Sequence, residues 1–98
     1  MRLRWLPDAL MDIDEIGEYI ANDNPTVADR VVARIKEAGT MLADNPRMGR
    51  YGRVGNTREL VVPGLPYIVV YRVDKQVVDI LGVIDARRQW PEGFENRR

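Results

Sequence analysis

The 98-residue chain is 45% hydrophobic and 31% charged, the balance of an ordinary globular domain with a single core. It has no histidine and no cysteine, which excludes imidazole acid–base chemistry, disulfides and thiolate metal sites, and makes a zinc site improbable. Its fifteen basic and fifteen acidic residues cancel, so tight non-specific binding to a polyanion is not expected of the chain as a whole.

The charge is unevenly spread. Residues 1–46 hold nine acids against five bases, and residues 47–98 hold ten bases against six acids. Thirteen of the bases are arginine, and no acid interrupts the stretch from Arg47 to Arg58. Arginine's planar fork suits carboxylate and phosphate recognition; a solvated loop accounts for the same stretch equally well. No apolar run approaches the ~20 residues of a membrane span. Met1 to Trp5 is not expected to open a signal peptide, because no apolar run follows the arginines.

Arg2 to Trp5 alternates polar and apolar, predicting a short strand with Leu3 and Trp5 on one face. Pro7 suits a first helical residue, and Leu10, Ile13, Ile16, Gly17 and Ile20 then recur at helical steps. Asp12, Asp14, Glu15 and Glu18 fill the other face of this amphipathic helix. Asn24-Pro25 restarts the chain as a second helix, an N-cap followed by proline. Its stripe of Ala28, Val31, Val32, Ile35, Ala38, Gly39 and Leu42 runs until Asn45-Pro46 stops it. The short connection predicts an antiparallel helix hairpin, with Gly17 and Gly39 allowing close approach.

Arg47 to Asn56 carries three glycines and no apolar period, predicting an ordered but irregular loop. Thr57 to Val62 reads as a strand, Pro63-Gly64 as a turn, and Tyr67 to Val73 as a strand buried on both faces or central in its sheet. Asp74-Lys75-Gln76 closes a tight hairpin to a last strand, Val77 to Ile84. Strand, two helices and three strands predict an α+β fold, with the helix hairpin on one face of a small antiparallel sheet. The opposite face is expected to stay partly open as a binding concavity. The single domain spans residues 1–98, with 92–98 a flexible tail.

Several side chains admit a chemical reading beside a structural one. Arg58, Arg72, Arg87 and Arg88 lie at or near strand ends, where arginines can hold a phosphate, stabilise a phosphoryl transition state or grip an acidic protein. For Arg58 the structural alternative is an ion pair; for Arg72 it is the favoured reading, with Asp74 close by. Glu59 is a candidate general base, but an exposed strand residue is favoured. Tyr67 and Tyr71 share a strand face, and core packing with wet hydroxyls is favoured over proton transfer. Trp90 fits a partner anchor or a core-closing residue, and Trp5 the core.

Asn45-Pro46-Arg47-Met48-Gly49, Thr57-Arg58-Glu59-Leu60, Tyr67 to Val73 and Arg87-Arg88 stand in an order that resembles the RelE/ParE toxins of bacterial type II toxin–antitoxin pairs, across nearly the whole chain. The resemblance implies a cytoplasmic bacterial toxin, growth inhibition and plasmid stabilisation, and no cofactor, metal or membrane. It implies a cognate antitoxin in a hetero-oligomer, 2:2 among its forms, for which Val31, Val32, Ile35 and Arg47 are the expected contacts. Family members cut mRNA on the ribosome or inhibit DNA gyrase. Nucleases of the family commonly carry Tyr-Arg-Leu-Val-Tyr in the central strand, whereas here Ile68 takes the arginine's place. Their C-terminal histidine and tyrosine are replaced by the Trp90 to Phe94 stretch. The ParE-like branch is therefore favoured, with Arg58, Arg87, Arg88, Trp90, Arg50 and Arg53 binding gyrase and no covalent chemistry. A metal-independent endoribonuclease using Arg58, Arg87 and Tyr71, with ribosome and mRNA as partners, is the alternative. A non-toxic binding domain on the same scaffold is the third reading.

Overall fold

The computed structural model describes residues 1–97. In chain order it has β1 (Arg2–Trp5), α1 (Pro7–Ala21), α2 (Pro25–Met41), β2 (Arg50–Tyr51), β3 (Arg58–Val61), β4 (Tyr67–Asp74), β5 (Val77–Asp85) and a 3₁₀ turn (Phe94–Asn96). The sheet order is β1-β5-β4-β3-β2.

The helices begin where the prolines place them. Pro7 opens α1, and Pro25 opens α2 behind Asn24, whose Oδ1 accepts a hydrogen bond from Val27 N–H at 3.1 Å. Ala9 and Ile13 of α1, with Val31, Ile35 and Ala38 of α2, pack on Tyr67, Val69, Tyr71, Val78, Ile80 and Val83 of the sheet. The two glycines act as expected: a Cβ on Gly17 would press on Val32, and one on Gly39 would overlap the Trp5 ring.

β3, β4 and β5 form the expected antiparallel unit, with Lys75 in a left-handed conformation at the hairpin turn. Two strands extend it. β1 joins parallel to β5, making the sheet mixed, because α1 and α2 together return the chain to the far edge. β2 arises inside the stretch expected to be irregular, where Arg50 pairs with Glu59 and Tyr51 with Arg58. Opposite Val70 and Tyr71 the ladder shifts from Gly82 to Ile80. This β-bulge lets both Ile80 and Val83 face the helices.

The face away from the helices is covered in part by the segment expected to be a flexible tail. Phe94 is buried against Ile68, Val70, Leu81 and Ile84, with Leu6, Val54 and Trp90 at the margin. Gly82 makes room for it, since a Cβ there would stand 2.5 Å from both the Phe94 ring and Arg97 Nη1. Arg97, expected to fray, donates from Nη1 to Asp12 Oδ2 at 2.7 Å and to Leu81 O at 3.2 Å. Asp12 Oδ2 also accepts from Val83 N–H at 2.9 Å. Side chains thus satisfy the edge of β5 beyond the point where β1 ends. Arg98 lies outside the described residues.

Candidate functional site

The arginine-rich stretch is tied to the sheet through Gly49. The buried Tyr71 hydroxyl accepts from Gly49 N–H at 2.8 Å and donates to Pro46 O at 2.8 Å. Arg58 Nη1 donates to Gly49 O at 2.8 Å and to Arg47 O at 3.5 Å, and its guanidinium lies 4.4 Å from the centre of the Tyr51 ring. No carboxylate pairs with Arg58 among the described residues. A half-buried cation held by carbonyls and a ring keeps its charge available for an incoming anion. It borders a hollow of about 510 Å3 that also touches Tyr51, Asn56, Thr57, Arg72 and Asp74.

Tyr71 is unsuited to proton transfer. It is fully buried, its hydroxyl is engaged on both sides, and burial pushes its pKa up. Tyr67, four residues earlier, is on the same helix-facing side, as expected.

Glu59 is not the exposed strand residue favoured from sequence. Its side chain is 3% exposed and forms ion pairs with Arg50 Nη2 at 3.2 Å and Arg53 Nε at 3.4 Å, while Arg53 N–H donates to Oε2 at 2.9 Å. Burial without such partners would be costly. Arg53 also stacks 4.2 Å from the Trp90 ring centre, and Trp90 meets Phe94 edge-on at 5.0 Å. Arg50, Arg53 and Trp90 therefore form one group on the face away from the helices.

Arg87 and Arg88 stand elsewhere. Arg87 donates from Nε and Nη2 to the two Asp85 oxygens at 3.0 and 2.9 Å, and Arg88 Nε is 3.7 Å from Asp85 Oδ2. The side-chain bonds from Arg87 hold the Asp85 carboxyl below the ordinary carboxylate range. Asp85 is paired with Tyr67, whereas Arg58 is paired with Tyr71. Those positions are four residues apart on β4, roughly 13 Å along the strand. The expected target-binding arginines thus form three patches rather than one cluster. Arg72 is structural as expected, but its partner is Asp79 at 3.4 Å rather than Asp74. Asp79 also binds Arg4 at 2.7 and 3.0 Å, which holds its carboxyl low.

Of the expected antitoxin contacts, Val31 and Ile35 are core residues, 8% and 0% exposed, and Val32 packs toward Gly17. A helical stripe reads the same whether a sheet or a partner covers it; the sheet covers Val31 and Ile35. Arg47 is exposed. Leu10, Met11, Tyr19, Met41, Met48, Tyr51 and Val61 are the large apolar side chains left in solvent beyond Met1 and Val27. Among the described residues no group of three metal-ligating side chains could hold an ion, and no helix is long and apolar enough to cross a membrane.

The site thus sits on a helix hairpin packed against a small mixed sheet, with an arginine-bearing loop pinned to its central strands. The chain belongs to the family described as ParE toxin of type II toxin-antitoxin system, parDE, whose family model matches residues 3–90. A toxin candidate of Sinorhizobium fredii (strain NBRC 101917 / NGR234), Y4kP, is 50% identical over 91 residues, 93% of this chain and 94% of that one. Toxin RelE2 of Caulobacter vibrioides is 37% identical over 84 residues, 86% of this chain and 93% of that one. A chain from the chromosomal ParDE TA system from P. aeruginosa superposes with a TM-score of 0.78 at 28% identity, covering 87% of this chain and 95% of that one. The protein is therefore a toxin of a type II toxin–antitoxin system, and its family implies an antitoxin partner.

Proposed function

We propose that this toxin arrests growth by poisoning DNA gyrase and is neutralised by a cognate antitoxin. The observation that carries the reading is Arg58, a half-buried cation with no carboxylate partner among the described residues, held by Gly49 O and the Tyr51 ring. Such a group binds an anion but moves no proton. A chain without histidine, whose Tyr71 hydroxyl is sequestered, fits target binding better than strand scission. Arg58 is the principal target contact in this reading. Arg50, Arg53 and Trp90 form a second contact patch and Arg87 with Arg88 a third. On a plasmid, such a pair would act as a stabilisation module, with toxin and antitoxin both in the cytoplasm.

Likeness to a relative named Toxin RelE2 supports a second reading, a ribosome-dependent endoribonuclease in which Arg58 and Arg87 stabilise phosphate charge. Induced expression with parallel labelling of DNA and protein separates the two. Under the gyrase reading, thymidine incorporation stops first. Methionine incorporation stopping first would replace it with the nuclease reading, and unimpaired growth would leave a non-toxic binding domain.

A further inference from the structure

Arg58 is fastened through one nitrogen of its guanidinium. Nη1 donates to Gly49 O at 2.8 Å and to Arg47 O at 3.5 Å, whereas Nε and Nη2 have no hydrogen-bond partner among the described residues. Those two nitrogens form the edge with which arginine grips a carboxylate side-on, through two parallel hydrogen bonds. The Tyr51 ring, 4.4 Å from the guanidinium, and the two carbonyls hold the group in place before any ligand arrives. An edge fixed in advance loses little conformational freedom on binding.

The hollow of about 510 Å3 that Arg58 lines defines the class of ligand. Arg72 and Asp74 line it too. Arg72 reaches Asp79 only at 3.4 Å, while Arg4 holds the same carboxylate at 2.7 Å, and Asp74 is exposed with no ion pair among the described residues. Two arginines against one aspartate leave the lining a single net positive charge, which one carboxylate matches and a run of phosphates does not. One side of the hollow is a strand edge. β3 begins at Arg58, opposite Tyr71, while β4 runs on to Asp74, so no β3 residue pairs with Arg72, Val73 or Asp74. The facing wall, Gly52 to Thr57, is closed by its own bond from Gly52 N–H to Thr57 O at 2.9 Å. A strand edge left open in this way pairs with a polypeptide backbone. Charge and edge together therefore favour an acidic protein segment over a nucleic acid.

We infer that this hollow receives an extended acidic segment of the target protein, whose aspartate or glutamate carboxylate accepts from Nε and Nη2 of Arg58 while its main chain runs beside Arg72 to Asp74. The inference rests on the reading that Arg58 contacts gyrase, and it names the chemistry of the group contacted. The toxin then engages protein surface rather than DNA backbone, in keeping with a chain of zero net charge.

The test is calorimetric titration of the full-length toxin into purified gyrase without DNA, with the cognate antitoxin titrated in parallel. Arg58→Lys keeps the charge but removes the planar fork, and is expected to weaken gyrase binding at least about tenfold, the loss of one charge-assisted hydrogen bond. Asp74→Asn removes the hollow's own anion from an exposed position and is expected to tighten gyrase binding about twofold to fivefold. Carbodiimide should also join residue 58 of the Arg58→Lys toxin to an aspartate or glutamate of gyrase, located by mass spectrometry. Circular dichroism and thermal melting report whether both variants keep the fold. Gyrase affinity unchanged in both folded variants would overturn the inference while the gyrase reading stood. Wild-type toxin that binds gyrase only with DNA present would assign the hollow to phosphate and overturn the inference. Effects confined to antitoxin binding would assign it to the antitoxin and overturn the inference. Wild-type toxin that binds gyrase in neither condition would remove the gyrase reading and the inference with it.

Discussion

Replacing Tyr71 by phenylalanine removes one oxygen from the core and strips two backbone groups of their partner. Gly49 N–H is buried and loses its acceptor, while Pro46 O, half-buried, loses its donor. A buried polar group left unsatisfied costs about 1–3 kcal/mol. Pro46 O can recruit water and lies at the lower end of that range, so the pair together should cost about 2–4 kcal/mol. For a chain of this size each kcal/mol shifts the melting temperature by about 4–8 °C, so a fall of roughly 8–32 °C is expected. Urea unfolding followed by the fluorescence of Trp5 and Trp90 measures it. A Cβ on Gly49 would stand 2.7 Å from Tyr71 Oη and 2.9 Å from Glu59 O. Gly49→Ala should therefore also destabilise, and should couple non-additively with Tyr71→Phe. A Tyr71→Phe protein within about 0.5 kcal/mol of wild type would refute the claim that this hydroxyl pins the loop.

Phe94→Ala tests whether the C-terminal segment is part of the packed structure: it should destabilise by about 3 kcal/mol and raise proteolysis after residue 91, whereas a free tail would show neither effect. Acid and alkaline unfolding follow from the shifted groups. Asp79 and Asp85 titrate below their ordinary 3.8 in the fold, so their stabilisation is present above about pH 4 and is lost as pH falls through the folded values. Asp79→Asn should flatten that acid limb. Tyr67 and Tyr71 titrate above their ordinary 10.0, so stability holds below about pH 10 and falls as pH rises through the folded values. Denaturant midpoints between pH 2 and pH 11 would measure both limbs.

The sequence reading located the helices well because their signals are local: Pro7 and Asn24-Pro25 set the starts, and apolar steps of three and four set the buried stripes. The β4–β5 hairpin was equally legible, with a polar turn between two apolar runs. β1's parallel seat beside β5 was not, because pairing across most of the chain leaves no local mark. Two-residue β2 is too short to have a period. Burial of Glu59 depends on two loop arginines reaching over it, and a carboxylate in a strand normally signals solvent. The tail looked free because its anchor is one phenylalanine opposite a glycine, Gly82, on another strand. The candidate site was half legible. The arginines were recognisable, but nearness to strand ends does not say which face or which end they share. Only the geometry separates Arg58 from Arg87.

Gyrase poisoning through Arg58 is the central claim, and a plasmid-linearisation assay with purified gyrase, ATP and wild-type or Arg58→Ala toxin tests it most directly. Wild-type toxin should convert supercoiled plasmid into linear DNA after detergent and protease treatment. A folded Arg58→Ala protein should lose at least about 90% of that product, in keeping with the removal of an interface anchor. Linearisation that persists in the Arg58→Ala protein would reduce Arg58 to a structural clamp, and wild-type toxin that leaves the plasmid supercoiled would contradict the gyrase reading itself.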